Sequence, residues 1–199
     1  MYAMFHYATK FNSDLSSWNV AKITNTAQMF QGATSFNSDL SKWNVKKVVL
    51  MDYMFNSAAL FTSNLVSWNV ANVKSMDYMF KSAISFNIDL SNWSVGEVTT
   101  MKEMFKFATA FNQMLCGVEW IQSTATQTEM FDNAGADARI GSSTLAPNRR
   151  PNIYGLTSNF LDVAYEDYVV VTARNRMSSG SSGRNVVREM VEGRGTIVL

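Results

Sequence analysis

The chain has 199 residues, 47% of them apolar and 17% charged, with a mean hydropathy of −0.07 and a formal net charge of +1. That length suits one or two domains, and a charge so near zero supplies no strong field toward nucleic acid or an anionic membrane. No window approaches the ~18 consecutive apolar residues of a spanning helix, and the single cysteine, Cys116, excludes an internal disulfide framework and any multi-cysteine metal site.

From the first residue the chain is periodic. Phe11, Phe36, Phe61, Phe86 and Phe111 are spaced 25 residues apart, as are Leu15, Leu40, Leu65, Leu90 and Leu115. Trp18, Trp43, Trp68 and Trp93 each stand two residues before Val20, Val45, Val70 and Val95, followed by Ile23, Val48, Val73 and Val98. Met-Phe pairs at 4–5, 29–30, 54–55, 79–80 and 104–105 lead to Ala8, Ala33, Ala58, Ala83 and Ala108. The next pair, Met130-Phe131, comes one residue late, and Trp120 stands where position 118 is due. A degenerate last unit is usual in repeat arrays. Because Met1-Tyr2-Ala3-Met4-Phe5 already lies inside a unit, with no charged segment leading into an apolar one, the reading frame is expected to start part-way through a longer gene. The open first unit, centred on Trp18, Val20 and Ile23, is expected to favour self-association.

Each unit divides into two pieces. In Met51–Ala58 the apolar residues Met51, Met54, Phe55 and Ala58 fall at i, i+3, i+4 and i+7, which predicts a short helix. Asn25, Ser75 and Thr100 precede such stretches as N-caps, and Thr100 with Glu103 has capping-box spacing. The run from Trp43 to Val48 is rich in β-branched and aromatic residues and predicts a short strand, paired with the same strand of the next unit. The fold class expected is an α/β repeat solenoid, with five to six units over residues 1–135 and identical side chains laddered through the core.

The unit W-N-V-x-x-V-x-x-M-x-x-M-F-x-x-A-x-x-F-N-x-D-L-S-x-W over about residues 1–134 resembles the BspA-like leucine-rich-repeat surface proteins, in their 25-residue mycoplasma-type lipoprotein repeat of unknown function. The resemblance implies a leucine-rich-repeat-like solenoid, a cell-surface or secreted setting and, loosely, adhesion or protein binding. It supplies no catalytic residues. The chain departs from that family in showing no signal peptide or lipid-attachment cysteine near its start.

Composition changes near residue 135. The lysines all lie between Lys10 and Lys106, the arginines all between Arg139 and Arg194, and both prolines, Pro147 and Pro151, are in the tail. Residues 136–199 are expected to be a tail that is partly disordered or caps the array through Phe160, Leu161, Tyr165 and Tyr168. Within it 136–152 reads as loop, Tyr168–Thr172 as a strand, Ser178–Gly183 as a flexible linker and 185–192 as a short helix.

Few residues have the chemistry of a site. His6 occupies a variable polar slot shared with Gln31, Asn56, Lys81 and Lys106 and reads as a surface residue; Cys116 replaces a small residue and reads as a structural or free thiol. Asp14, Asp39 and Asp89, with Asn64, form a ladder of acceptors. Backbone capping is favoured there over Ca²⁺. Lys22, Lys42, Lys46, Lys47 and Lys74 fall in variable positions around the extended piece and form the candidate binding strip. The expected function is a non-enzymatic protein-binding or adhesion module for a protein or cell-surface ligand, with no cofactor, metal or nucleic acid. The alternative is a truncated structural fragment of a longer repeat protein with no ligand of its own.

Overall fold

A computed structural model of the chain describes residues 1–141. The strand expected at Tyr168–Thr172, the helix at 185–192, the linker Ser178–Gly183 and the capping aromatics Phe160, Leu161, Tyr165 and Tyr168 lie outside the described residues. Among these residues the regular elements are β1 (Met114–Leu115), α1 (Val118–Ile121) and β2 (Arg139–Ile140), with β1 and β2 paired in parallel. The loop expected over 136–152 thus contains a short strand at Arg139–Ile140, and Gly141 still donates to the Leu115 carbonyl at 3.1 Å.

The units are joined in register. Single parallel bridges link Asn25 to Leu50, Leu50 to Ser75, Ser75 to Thr100 and Thr100 to Thr126. Next to them, the segment expected to be helical is not a helix. Its N–H groups alternate in direction. Gln28, Phe30 and Gly32 donate to the carbonyls of Asp52, Met54 and Asn56 in the next unit, whereas Met29, Gln31 and Ala33 donate back to Thr26, Gln28 and Phe30. A helix would send every N–H four residues back within its own segment. Here half of them bond a neighbour of nearly the same sequence instead.

The alternation needs left-handed backbone at two positions per unit. Ala3, Gln28, Tyr53, Tyr78, Glu103 and Glu129 occupy one, and Tyr7, Gly32, Ser57, Ser82, Phe107 and Asn133 the other, at φ between 51° and 70°. All but Gly32 pay a steric cost for this; the cross-unit hydrogen bonds hold them there. Of the expected N-caps, Asn25 accepts from the Ala27 N–H at 2.8 Å as a cap does, and the others act otherwise. Ser75 donates to Asp52, Thr100 donates to Asp77 at 2.5 Å, and Glu103 pairs with Lys81.

The run from Trp43 to Val48, expected as a strand, instead joins two turns. One is closed by Trp43 N–H to the Leu40 carbonyl (3.0 Å) and the other by Val48 N–H to Val45 (2.8 Å). The indole then reaches across units. The Nε1–H groups of Trp43, Trp68 and Trp93 donate to the carbonyls of Leu15, Leu40 and Leu65 at 2.9–3.0 Å. Trp120 makes the same bond to Leu90 at 2.9 Å across 30 residues rather than 28. The four-residue helix α1 takes up the extra length, so the displaced tryptophan keeps its contact.

The core phase expected from sequence holds. Phe30, Phe55, Phe80 and Phe105 are fully buried, as are Phe36, Phe61, Phe86 and Phe111. Their rings form two continuous stacks, with Phe30 to Phe55 at 5.7 Å, Phe55 to Phe80 at 5.5 Å and Phe36 to Phe61 at 5.9 Å. Cross-stack pairs such as Phe55–Phe61 lie 3.9 Å apart. The first unit differs: Trp18 is 37% exposed whereas Trp43 and Trp68 are 3% exposed, although Val20, expected on the open face beside it, is buried.

Candidate binding surface

With the apolar ladders inside, the variable positions occupy the turns and the exposed edges between them. Two repeating turns carry the lysines expected to form a strip. Ala21-Lys22 and Lys46-Lys47 sit in the turns closed by Ile23 N–H to Val20 and Val48 N–H to Val45, so Lys22 and Lys47 are in register across two units. Lys42 lies in the preceding turn of its unit, closed by Trp43 N–H to Leu40. All four side chains are exposed, and among the described residues none forms an ion pair.

Lys74 does not join them. It occupies a different slot, in register with Thr24, Val49 and Thr99, and forms an ion pair with Glu97 of the next unit. That hydrogen bond holds the Glu97 carboxyl below its ordinary pKa range. The strip therefore contracts to Lys22, Lys46 and Lys47 with Lys42 beside them, and further along the same corner stand Asn72 and Glu97.

The acceptor ladder is built as backbone capping. Asp14, Asp39 and Asp89 accept from the N–H groups of Ser16, Ser41 and Ser91 at 2.8–2.9 Å, and Asn64 accepts from Val66 at 3.0 Å in the same slot. These bonds, with the serine hydroxyls second, lower the pKa values of Asp14 and Asp39. A carboxyl whose pKa is depressed on folding contributes stability above its unfolded pKa and loses it as pH falls through the folded value. The melting temperature is therefore expected to fall as pH drops below about 4. Asp39→Asn is expected to keep the cap, as Asn64 does, and to flatten that acid limb. EDTA is expected to leave the melting temperature unchanged; a drop of several degrees, restored by Ca²⁺, would overturn the capping assignment. Among the described residues no three His, Cys, Asp or Glu side chains come together as a metal-ligand group.

Sequence reasoning missed a second, half-buried surface because it placed those residues on a helix. The Tyr53 and Tyr78 rings stack at 4.4 Å, with Lys81 Nζ 5.3 Å and Lys102 Nζ 5.6 Å from the Tyr78 ring centroid. Burial, then the neighbouring Tyr78, raises the Tyr53 pKa. Lys81 pairs with Glu103 at 2.6 Å, and Lys106 pairs with Glu129 and lies 3.8 Å from Glu103. The visible signal was the register of Tyr53 with Tyr78. Of the cations at Tyr78, Lys81 belongs to its own segment and Lys102 comes from the next unit, and only the latter is invisible to a single-unit helical projection.

His6 is exposed beside Tyr7. Cys116 is half-buried, with Sγ 3.1 Å from the Met114 carbonyl. No described helix is long and apolar enough to cross a membrane.

A family model described as "Mycoplasma protein of unknown function, DUF285" matches the chain twice, over residues 1–65 and 39–142. No curated protein and no solved structure matches the chain.

Proposed function

This chain belongs to that Mycoplasma family of unknown function, DUF285, and on that premise we propose that it is a non-enzymatic binding or adhesion module whose variable ladders recognise a protein or cell-surface ligand. The finer assignment is part of the proposal: a leucine-rich-repeat-like solenoid of the BspA-like surface type, in which turns replace the expected helix. The observation that carries the reading is the division of labour within each unit. The same positions are apolar and fully buried in the inner units, from Met51 to Leu90. The turn positions vary freely, from Lys47 to Asn72 to Glu97. Repeats that hold the interior constant and vary the surface present an extended recognition face.

The test is a pair of variants. One replaces the exposed turn and edge residues of the inner units with serine and leaves the core intact. Saturable binding of the natural chain to at least one purified extracellular or membrane-surface protein is expected by surface plasmon resonance. It is expected to be lost in the variant while the melting temperature stays within a few degrees. Binding that survives the replacement, or no saturable binding to any such protein, would favour the structural-fragment reading.

A further inference from the structure

We propose that the turns bearing Lys22, Lys46 and Lys47, flanked by Lys42, dock a short acidic peptide segment of a protein partner; this rests on the binding-module reading and specifies its ligand. Stacked units place in-register side chains about one strand spacing apart, on the order of 5 Å. Lys22 and Lys47 are therefore held near each other by the backbone, with Lys46 adjacent in sequence. Like charges so placed repel, and no described carboxylate pairs with them. An incoming carboxylate relieves that repulsion. Asp39, whose pKa is lowered first by its bonds to Ser41 and further by Lys42, lies beside Lys42, but its carboxylate caps Ser41. Lys42 is thus the weakest of the four.

The hydrogen-bonding pattern points the same way. The side-chain oxygens of Asn19 and Asn44 are occupied by the N–H groups of Ala21 (3.1 Å) and Lys46 (3.3 Å). Their Nδ2 donors make no hydrogen bond among the described residues, and both side chains are exposed beside the lysines. The surface between the two turns therefore offers cations and amide donors, which matches carboxylate oxygens.

The length of the partner follows from where the charge ends. In the third unit the corner carries Asn72. In the fourth it carries Glu97, and Glu119 accepts from Gly96 there at 3.0 Å. A continuous polyanion laid along the corner would lose its cations at Asn72 and then meet the Glu119 carboxylate and a Glu97 already paired with Lys74. A short acidic segment across the first two units would not. Electrostatic complementarity of this kind sets specificity and association rate.

The experiment uses the full chain and a fluorescein-labelled oligoglutamate peptide, followed by anisotropy, with oligothymidylate and phosphatidylserine-containing vesicles as parallel probes. The peptide is expected to bind at low salt and to weaken markedly at about 0.3 M salt, where the Debye length is shorter than at physiological ionic strength. K22E/K46E/K47E is expected to weaken it at least about tenfold, and K10E, on a different turn, by less than about twofold. The neutral variant K22Q/K46Q/K47Q is expected to weaken it several-fold, and it decides the matter should charge reversal disturb folding. Unchanged affinity in both triple variants would overturn the proposal. So would tighter binding of oligothymidylate or vesicles that the same variants abolish, since the corner would then serve nucleic acid or a membrane. If the peptide fails to bind while the serine-replacement experiment still shows a ligand, the binding-module reading stands and this site alone falls.

Discussion

Phe55→Ala is expected to lower the free energy of unfolding by about 3–5 kcal/mol, the usual range for a fully buried aromatic truncated in a core that cannot collapse. Phe55 has no exposed surface. Its ring is sandwiched along the stack by Phe30 and Phe80 at 5.7 and 5.5 Å, lies 3.9 Å from Phe61 and tilts against Trp68 at 6.2 Å. Phe30 and Phe80 are themselves fixed by the next ring and by cross-unit backbone bonds. Phe30 donates to Met54, and Phe55 donates to Met79. Closing the cavity would break that register, so most of it is expected to remain open. Phe5→Ala serves as the comparison, because Phe5 is only half-buried and is expected to lose clearly less. Urea unfolding of both variants is the measurement. A loss under about 1 kcal/mol for Phe55→Ala would mean that the ring does not fill the core as described.

Trp68→Phe is expected to cost about 1–3 kcal/mol, combining lost volume with the loss of one of two hydrogen bonds to a buried carbonyl. The indole is 3% exposed, stacks between Trp43 and Trp93 at 6.5 Å and donates to the Leu40 carbonyl at 2.9 Å. Phenylalanine keeps an aromatic ring there but leaves that buried oxygen with only one of its two donors, the Trp43 N–H at 3.0 Å. Trp18→Phe is the internal control. Trp18 is 37% exposed, and among the described residues its Nε1–H has no acceptor. If the two substitutions cost the same, the cross-unit indole bond contributes nothing to stability.

The candidate surface was half legible beforehand. Lys22, Lys46 and Lys47 could be placed together because a 25-residue register fixes neighbours along the array whatever the local conformation. Lys74 was misplaced because its slot differs and its partner, Glu97, lies one unit on. The Tyr53–Tyr78 stack was likewise in register and open to reading, but its cross-unit contacts, Lys81 with Glu103 and Lys102 over Tyr78, are diagonal and do not show in a pattern read within one unit.

The order of the residues alone set the period, the membership of the core and the breakdown of the last unit. Burial depends on which side chains are apolar and on their register, and both are written in Phe30, Phe55, Phe80 and Phe105. It did not determine the backbone conformation. Met51, Met54, Phe55 and Ala58 satisfy a helical face, and the same spacing also fits a segment that bends through left-handed Tyr53 and Ser57. Only the stack decides between them. An isolated segment has only its own carbonyls to bond, whereas a segment lying beside a near-copy in register is offered a second row of acceptors. With alternate N–H groups taken by that row, the local propensity for helix loses to the hydrogen bonds between units.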